Sequence, residues 1–569
     1  LKARGVIASA AAAIFVAGLS VFFVWDHTRE DSLSADEPVH ILAGYLQVFG
    51  RTAIVNIEHP PLMKELAGLA LTTLPLPQPP AQIPMGNQFT DYGHGLLFAG
   101  PVPPDTIAAR ARFPFLVVLA AMLLFLFVLA RRQYGPGAAL FAVALVAFDP
   151  NFVAHAGVVH TDLGAAAAFL VVIAAAERAR RGDAVSVAVA GLALGVALVT
   201  KFSAVYLLPI LLLQALLAAR GPNAGTEALR ATGRLLVMGL VAALVVFGVY
   251  AVVCSRMNLE EQRQVIHEMV AERGAPQLSR VIERIASVSP PIGHYLGGLA
   301  SVVRQNAIGG GVNYLFGHLS DHGFASYFFV AFAAKSTLAF LAVTVIVLAA
   351  LFREPEARAE ARVWLLPVAV FFLASMGASY NIGIRHLLPV YPLLALAGAG
   401  VLSRAWQRGR RAAGLLMVGL PLLSAGELAR IHPHELSYFN PLVGGPLGGR
   451  QILSDSNVDW GLDLRRLATE LQRLAATDPT VVYFGGDDVP YRIGVPDFSA
   501  DPQVRGRVVA ISAFHQAAGP MFYAYHGAAG VAVALERLQR DIAARGHWIG
   551  RVGYSIDLYD LPPKGTSSR

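Results

Sequence analysis

The chain has 569 residues, 55% of them hydrophobic and only 15% charged, with a formal net charge of +7. With a mean hydropathy of +0.54, this composition excludes an ordinary soluble domain and predicts a polytopic helical membrane protein. The excess charge sits as arginines in short loops between apolar runs, as orientation signals do, so nucleic-acid binding is not expected, and the single cysteine, Cys254, excludes an intramolecular disulfide and any site built on several thiolates.

The first apolar span covers residues 6–26. Lys2 and Arg4 precede it and no small-residue cleavage site follows, so it is expected to stay as a helix rather than to be removed as a signal peptide. Residues 27–111 then form a long polar loop. Within it, 38–50 and 62–74 are amphipathic enough to lie along a membrane interface, and 74–80 reads as an extended, proline-rich connector.

Further apolar stretches of bilayer length recur at 112–130, 137–154, 162–177, 184–200, 202–219, 234–253, 326–352, 363–380, 386–403 and 411–429, which makes about eleven spans. Between them, one set of loops carries Arg131 and Arg132, then Arg178, Arg180 and Arg181, then Arg220, Arg230 and Arg234. The same set continues with Arg353, Arg358 and Arg362 and ends with Arg404, Arg408, Arg410 and Arg411. The positive-inside rule places these loops and the N-terminus in the cytoplasm, and an odd span count leaves the C-terminus outside.

The outer segments are then 27–111, 149–161, 255–325, 380–385 and the tail. In 255–325, residues 260–286 read as an exposed helix and 309–311 as a flexible glycine-rich break, with no preceding strand to make it a phosphate cradle. The tail has strand character at 481–484, 508–511 and 554–559 and helical periodicity at 463–476 and 531–545. The expected architecture is a transmembrane domain over 1–430 followed by a small extracytoplasmic α/β domain over 431–569.

Ionisable residues at span boundaries are functional candidates by default. Asp36-Glu37 stands just beyond the first span, ahead of Pro38, where a helix cap would also explain it. Asp162 opens the fourth span after His160-Thr161, and Asp149 closes the third. Cations lie on the same side: Lys64 after Glu58-His59-Pro60-Pro61, Lys201 between two spans, and Arg385-His386 at the head of another, with Lys335 inside the eighth span. Carboxylates and cations converging from separate outer loops suit one reaction. A carboxylate takes the proton of an acceptor hydroxyl as it attacks the anomeric carbon of a lipid-phosphate sugar, and the cations stabilise the departing phosphate.

Together, Asp36-Glu37, Glu58-His59-Pro60-Pro61 with Lys64, and Asp162 resemble the GT-C glycosyltransferases. The nearest group is that of the protein O-mannosyltransferases and aminoarabinose transferases, over about residues 10–440. Tyr380 to Pro389, His434 to Asn440 and Asp455 to Gly461 are similar to segments of bacterial members. The resemblance implies a GT-C fold and a polyprenyl-phosphate sugar donor, with a lipid, glycan or protein as acceptor. It also implies Asp36 as the catalytic carboxylate, Asp162 as a second acid and Lys64 as a donor-phosphate ligand. Sidedness adds Glu37 to the catalytic group and Arg385, His386 and Lys201 to the phosphate group, with Glu58 and His59 in support. The loop 255–325 is too short for the β-trefoil domain of eukaryotic protein mannosyltransferases, and Asp459-Trp460-Gly461 only partly matches the peptide-binding signature of oligosaccharyltransferases. His294, His318 and His322 are irregularly spaced, so no metal site and no cofactor are expected. The rival readings are a flippase, which calls for paired broken helices at the bilayer midplane, and a non-catalytic envelope assembly protein.

Overall fold

The computed structural model describes residues 2–80, 88–219, 224–309 and 311–563. Arg220 and Gly310, expected in a basic loop and in the glycine-rich break, lie outside these residues, as do the side chains of Lys2, Arg4 and Arg181. The chain is an α-helical polytopic membrane protein. Among the described residues, five helices are long and apolar enough to cross a bilayer: Ile7–Thr28, Pro104–Tyr134, Ala224–Val253, Pro355–Met376 and Arg411–Ile431. Two bent pairs would bring the number to seven if each were one span, and Ala184–Leu198 and Phe202–Ala218 are shorter apolar helices. Asp162–Arg181 and Val390–Gln407 complete the set expected from the sequence.

Two expected spans are not straight. The stretch 137–154 bends by 62° between Pro136–Ala147 and Pro150–Ala156, where the Asp149 side chain caps the second helix by accepting from the backbone N–H groups of Asn151 and Phe152. The stretch 326–352 turns by 117° between Tyr327–Lys335 and Leu338–Arg353. The break falls at Ser336-Thr337, whose extended backbone and Thr337 cap start a new helix, so the first half cannot continue across the bilayer. Apolar composition alone does not register such a break.

Val390–Gln407 is the innermost helix, buried on all sides over residues 390–403. Its run of Ala395, Ala397, Gly398, Ala399 and Gly400 lets neighbouring backbones approach, as small residues do in membrane bundles. At one end of the bundle the arginine-bearing loops gather: Arg404 reaches Glu354 and Glu360, and Arg234 donates to the Arg180 carbonyl. At the other end lie the long polar segments.

There, Glu37–Tyr45 continues into a π-helical turn, Leu46–Gly50, and crosses Leu62–Leu71 at two glycines. A Cβ on Gly44 would collide with the Lys64 carbonyl, and one on Gly68 with the Gly44 carbonyl. These two helices therefore meet at backbone contact, which brings Lys64 beside the helix that begins after Asp36. The expected helix over 260–286 is split into Leu259–Ile266, a π turn at His267–Ala271, and Pro276–Val288. After the glycine-rich break comes a short hairpin, β1 (Asn313–Leu315) with β2 (His318–Ser320), that hydropathy did not predict.

The tail holds a four-stranded sheet of β3 (Thr480–Val482), β4 (Val508–Ser512), β5 (His547–Val552) and β6 (Ile556–Asp560), in the order β3-β4-β6-β5. β3 pairs parallel to β4, with Val481 opposite Ala510, and the other pairings are antiparallel. Leu464, Leu467 and Leu471 of Leu464–Arg473 pack on one face of the sheet, and Leu535 and Leu538 of Ala529–Arg545 on the other. β5 has a mostly exposed pattern and the helix Ala513–Tyr525 contains Pro520, so neither is legible from the sequence.

Candidate functional site

Asp36 occupies the N-cap position of Glu37–Tyr45, yet its carboxylate makes no capping hydrogen bond. It turns instead to Arg385, whose Nη1 donates to Asp36 Oδ2 at 3.0 Å. The Asp36 side chain is 38% exposed while that of Arg385 is 4% exposed, so a buried cation holds a carboxylate that solvent reaches. Helix capping therefore does not account for Asp36.

Glu37 is separated from it. This side chain is fully buried and binds Arg112 twice, at 2.8 Å from Nε to Oε1 and 2.7 Å from Nη2 to Oε2. It also accepts from the backbone N–H groups of Ser34 and Val159. With its acceptors filled and no open face, Glu37 fastens the outer loop to the bundle. Adjacent residues at a helix start point in different directions, which is why the sequence could not part the two.

Asp162 follows the same logic as Asp36. Thr161 holds the N-cap position, and the Asp162 carboxylate forms a buried ion pair with Lys201. The Asp162 backbone N–H donates to His160 Nδ1 at 3.1 Å, so the proton of the neutral His160 ring sits on Nε2. That nitrogen faces Asp162 Oδ2 at 2.7 Å. Arg385 Nη1 crowds the same nitrogen at 2.6 Å, and the guanidinium lies 4.2 Å from the centre of the Trp460 ring. Burial, with Arg385 and Lys201 close by, holds His160 well below its ordinary pKa.

Two further histidines adjoin His160. The His40 ring lies tilted, 4.9 Å from His59 and edge-on 5.8 Å from His160, centre to centre. Burial pushes His40 down to about 4, so it is neutral at pH 7. His40 stands one helical turn from Asp36, a spacing that could have flagged it in the sequence. His386 lies against Phe328 at 6.0 Å.

Lys64 is nearly fully buried, and its ammonium donates to the carbonyls of Asn56 and His59, both at 2.6 Å, and to Asn56 Oδ1 at 3.3 Å. In this state it ties down the loop that carries Glu58 and His59. Burial brings Lys64 down to about 7 against the opposing charge of Glu58 and Glu65. Glu58 Oε2 is buried with no hydrogen-bond partner, and so are His40 Nδ1, His155 Nε2 and Arg385 Nε. Such orphaned atoms are rare in folded proteins and ask for a ligand or water.

The segment from Ser454 to Gly461 organises both halves of the site. The Trp460 carbonyl accepts from the Ala35 N–H at 2.9 Å, which fixes the backbone one residue before Asp36. Asn457 Oδ1 accepts from the Ile384 N–H at 3.0 Å, and Ser456 donates to the Ile382 carbonyl, which fixes the loop that carries Arg385. Lys335 in turn donates to the carbonyls of Asn457 and Leu436, at 2.6 and 2.7 Å. The lysine inside the eighth expected span is thus a pin at the helix break. Asp455 adopts a left-handed backbone, φ 57°, and burial raises it to about 7, with Asp36 adding to the rise and Arg385 opposing it. Among the described residues no cluster of His, Cys, Asp and Glu has the arrangement of a metal site.

Residues 107–251 match the family model described as dolichyl-phosphate-mannose-protein mannosyltransferase. None of the curated proteins matches the chain. Among solved structures, ArnT from Cupriavidus metallidurans bound to undecaprenyl phosphate is similar at 13% identity and a TM-score of 0.49, covering 100% of both chains. The same protein in the apo state is similar at 14% identity and a TM-score of 0.35, covering 99% of each. The Archaeoglobus fulgidus oligosaccharyltransferase is similar at 12% identity and a TM-score of 0.48, with 97% of this chain and 75% of that one covered. Likenesses this distant carry no information about substrate. The family match, on a helical membrane architecture, agrees with the resemblance to protein mannosyltransferases; it takes in Asp162 but not Asp36 or Lys64.

Proposed function

We propose that this chain is an inverting glycosyltransferase. It moves a sugar from a polyprenyl-phosphate donor to an acceptor hydroxyl at the outer face of the cytoplasmic membrane. The observation that carries the reading is the pairing of a partly exposed Asp36 with a buried Arg385 that still has an unpartnered Nε. A guanidinium with an unsatisfied buried donor is poised for a second anion, and a phosphate fits its fork.

In this reading the donor phosphate enters beside Arg385 and Lys201, drawing the guanidinium away from the crowded His160 nitrogen. Asp36 Oδ2 takes the proton of the acceptor hydroxyl while the acceptor oxygen bonds to the anomeric carbon. The bond from that carbon to the phosphate oxygen breaks, and its electron pair leaves with the lipid phosphate. The developing charge falls next to two cations in a site where His40 and His160 are neutral and add no competing charge. Asp162 keeps Lys201 in place, and Lys64 holds the Asn56–His59 loop as a wall of the donor cleft. Residues 431–569 form the outer unit that reaches the acceptor, which is a lipid, a glycan or a protein.

The test is to incubate purified protein with radiolabelled polyprenyl-phosphate sugars and cell-envelope acceptors, and to read the anomeric configuration of the product. Label transferred with inversion supports the reading. Absence of transfer from every such donor, or retention of configuration, overturns it.

A further inference from the structure

At the end of the bundle opposite Asp36, the helices Phe202–Ala218 and Pro355–Met376 diverge from Asp162–Arg181 and Ala224–Val253. They leave a cavity of about 680 Å³. Its volume falls within the range of sites that hold small ligands. Arginines at 180, 230, 234 and 362 line it, with an apolar wall that includes Leu211 and Met238.

The charges there do not balance. Glu177 is taken by Arg180 in a two-bond pair, and Glu360 by Arg404 from outside the cavity. Among the described residues, no ion pair engages Arg230, Arg234 or Arg362, and the remaining acid is Glu227. Arg234 and Arg362 are instead steadied by single bonds to the carbonyls of Arg180 and Leu217, at 2.8 and 3.1 Å. Three guanidinium groups against one carboxylate call for an anion.

The surroundings say what kind. Outside the cavity lining, Leu212 and Leu216 on one bordering helix and Leu236 and Leu240 on another are exposed along apolar helices. A ligand with a charged head in the cavity and acyl chains along these leucines satisfies both features. We infer that this cavity binds an anionic phospholipid of the adjoining leaflet, with its phosphate held by Arg230, Arg234 and Arg362 and its chains lying against the helices Phe202–Ala218 and Ala224–Val253. Basic pockets between membrane helices take such headgroups. The site is separate from the proposed donor cleft and needs no transfer activity.

The experiment is native mass spectrometry of the full chain in detergent. Dioctanoyl phosphatidylglycerol, dioctanoyl phosphatidylcholine or inorganic phosphate is added in parallel. The expected result is a retained phosphatidylglycerol adduct, weakened about tenfold in R230Q/R234Q/R362Q and about threefold in R230Q alone, whose exposed side chain is not needed for folding. R353Q/R358Q, basic residues outside the cavity, should bind as wild type does. Equal retention of the two lipids, an unchanged R230Q, or a phosphate adduct in place of the lipid would overturn the inference.

Discussion

Replacing Glu37 by alanine tests whether the outer loop is anchored as described. The carboxylate receives two guanidinium bonds from Arg112 and two backbone N–H bonds, from Ser34 and Val159, and none of its surface is exposed. Removing it leaves a buried arginine without its counter-charge, a loss of about 3–5 kcal/mol. Each stranded backbone donor adds about 1 kcal/mol where water cannot reach it. The expected total is about 5–7 kcal/mol, reduced wherever the loop relaxes to admit water. Replacing Glu37 and Arg112 together by leucine removes the orphaned charge, so the double variant should be more stable than Glu37→Ala by about 2 kcal/mol or more. Unfolding midpoints in detergent, read by size-exclusion chromatography after heating, measure both. If Glu37→Ala melts with wild type, or the double variant melts no higher than Glu37→Ala, the anchoring account fails. The contrast with Asp36 is sharp: Asp36→Ala should retain the wild-type midpoint within about 1 kcal/mol, because that carboxylate is partly solvated and screened.

Other consequences can be measured in the same preparations. Asp455 has a folded pKa of about 7 against an ordinary 3.8, so the folded state holds its proton more tightly. Its contribution to stability is therefore present below about pH 4 and is lost as pH rises towards 7. Ionisation near 7 also adds a negative charge beside Arg385, so the donor KM should rise above that pH in wild type and stay level in Asp455→Asn; identical profiles would refute the placement. Trp460→Leu removes the ring under the Arg385 guanidinium, worth about 0.5–2 kcal/mol, and should raise the donor KM by a few-fold to about thirtyfold; because the ring is buried, it should lower the unfolding midpoint as well. Lys64→Gln should expose the Asn56–His59 loop to limited proteolysis; unchanged cleavage would mean that its three bonds do not hold that loop.

The membrane character, the positions of the apolar helices and most tail elements were legible because apolar runs and periodicity report local structure directly. The two bends were not, since Ser336-Thr337 and Asp149 interrupt helices through backbone geometry rather than polarity. At the site, the sequence picked out residues standing in expensive places, and the structure links Asp36, Asp162, Lys201, Arg385 and His160 by direct contact, with His59 reached through His40. It could not tell which charges are already matched. Glu37 and Asp36 are neighbours with different surroundings, because Arg112 comes from another helix 75 residues away. Lys64 and Lys335 read as ligands or misfits until their acceptors, all backbone or loop oxygens, are seen. His40 carries no motif that would single it out, although it contacts His59 and His160.

The central claim is that the Asp36 carboxylate removes the proton of the acceptor. Sugar transfer from a polyprenyl-phosphate donor, measured with Asp36→Asn against wild type under matched folding, tests it directly. The account predicts a fall in kcat of about 10²–10⁴, with donor binding retained through Lys201 and Arg385. Transfer by Asp36→Asn at the wild-type rate would contradict it.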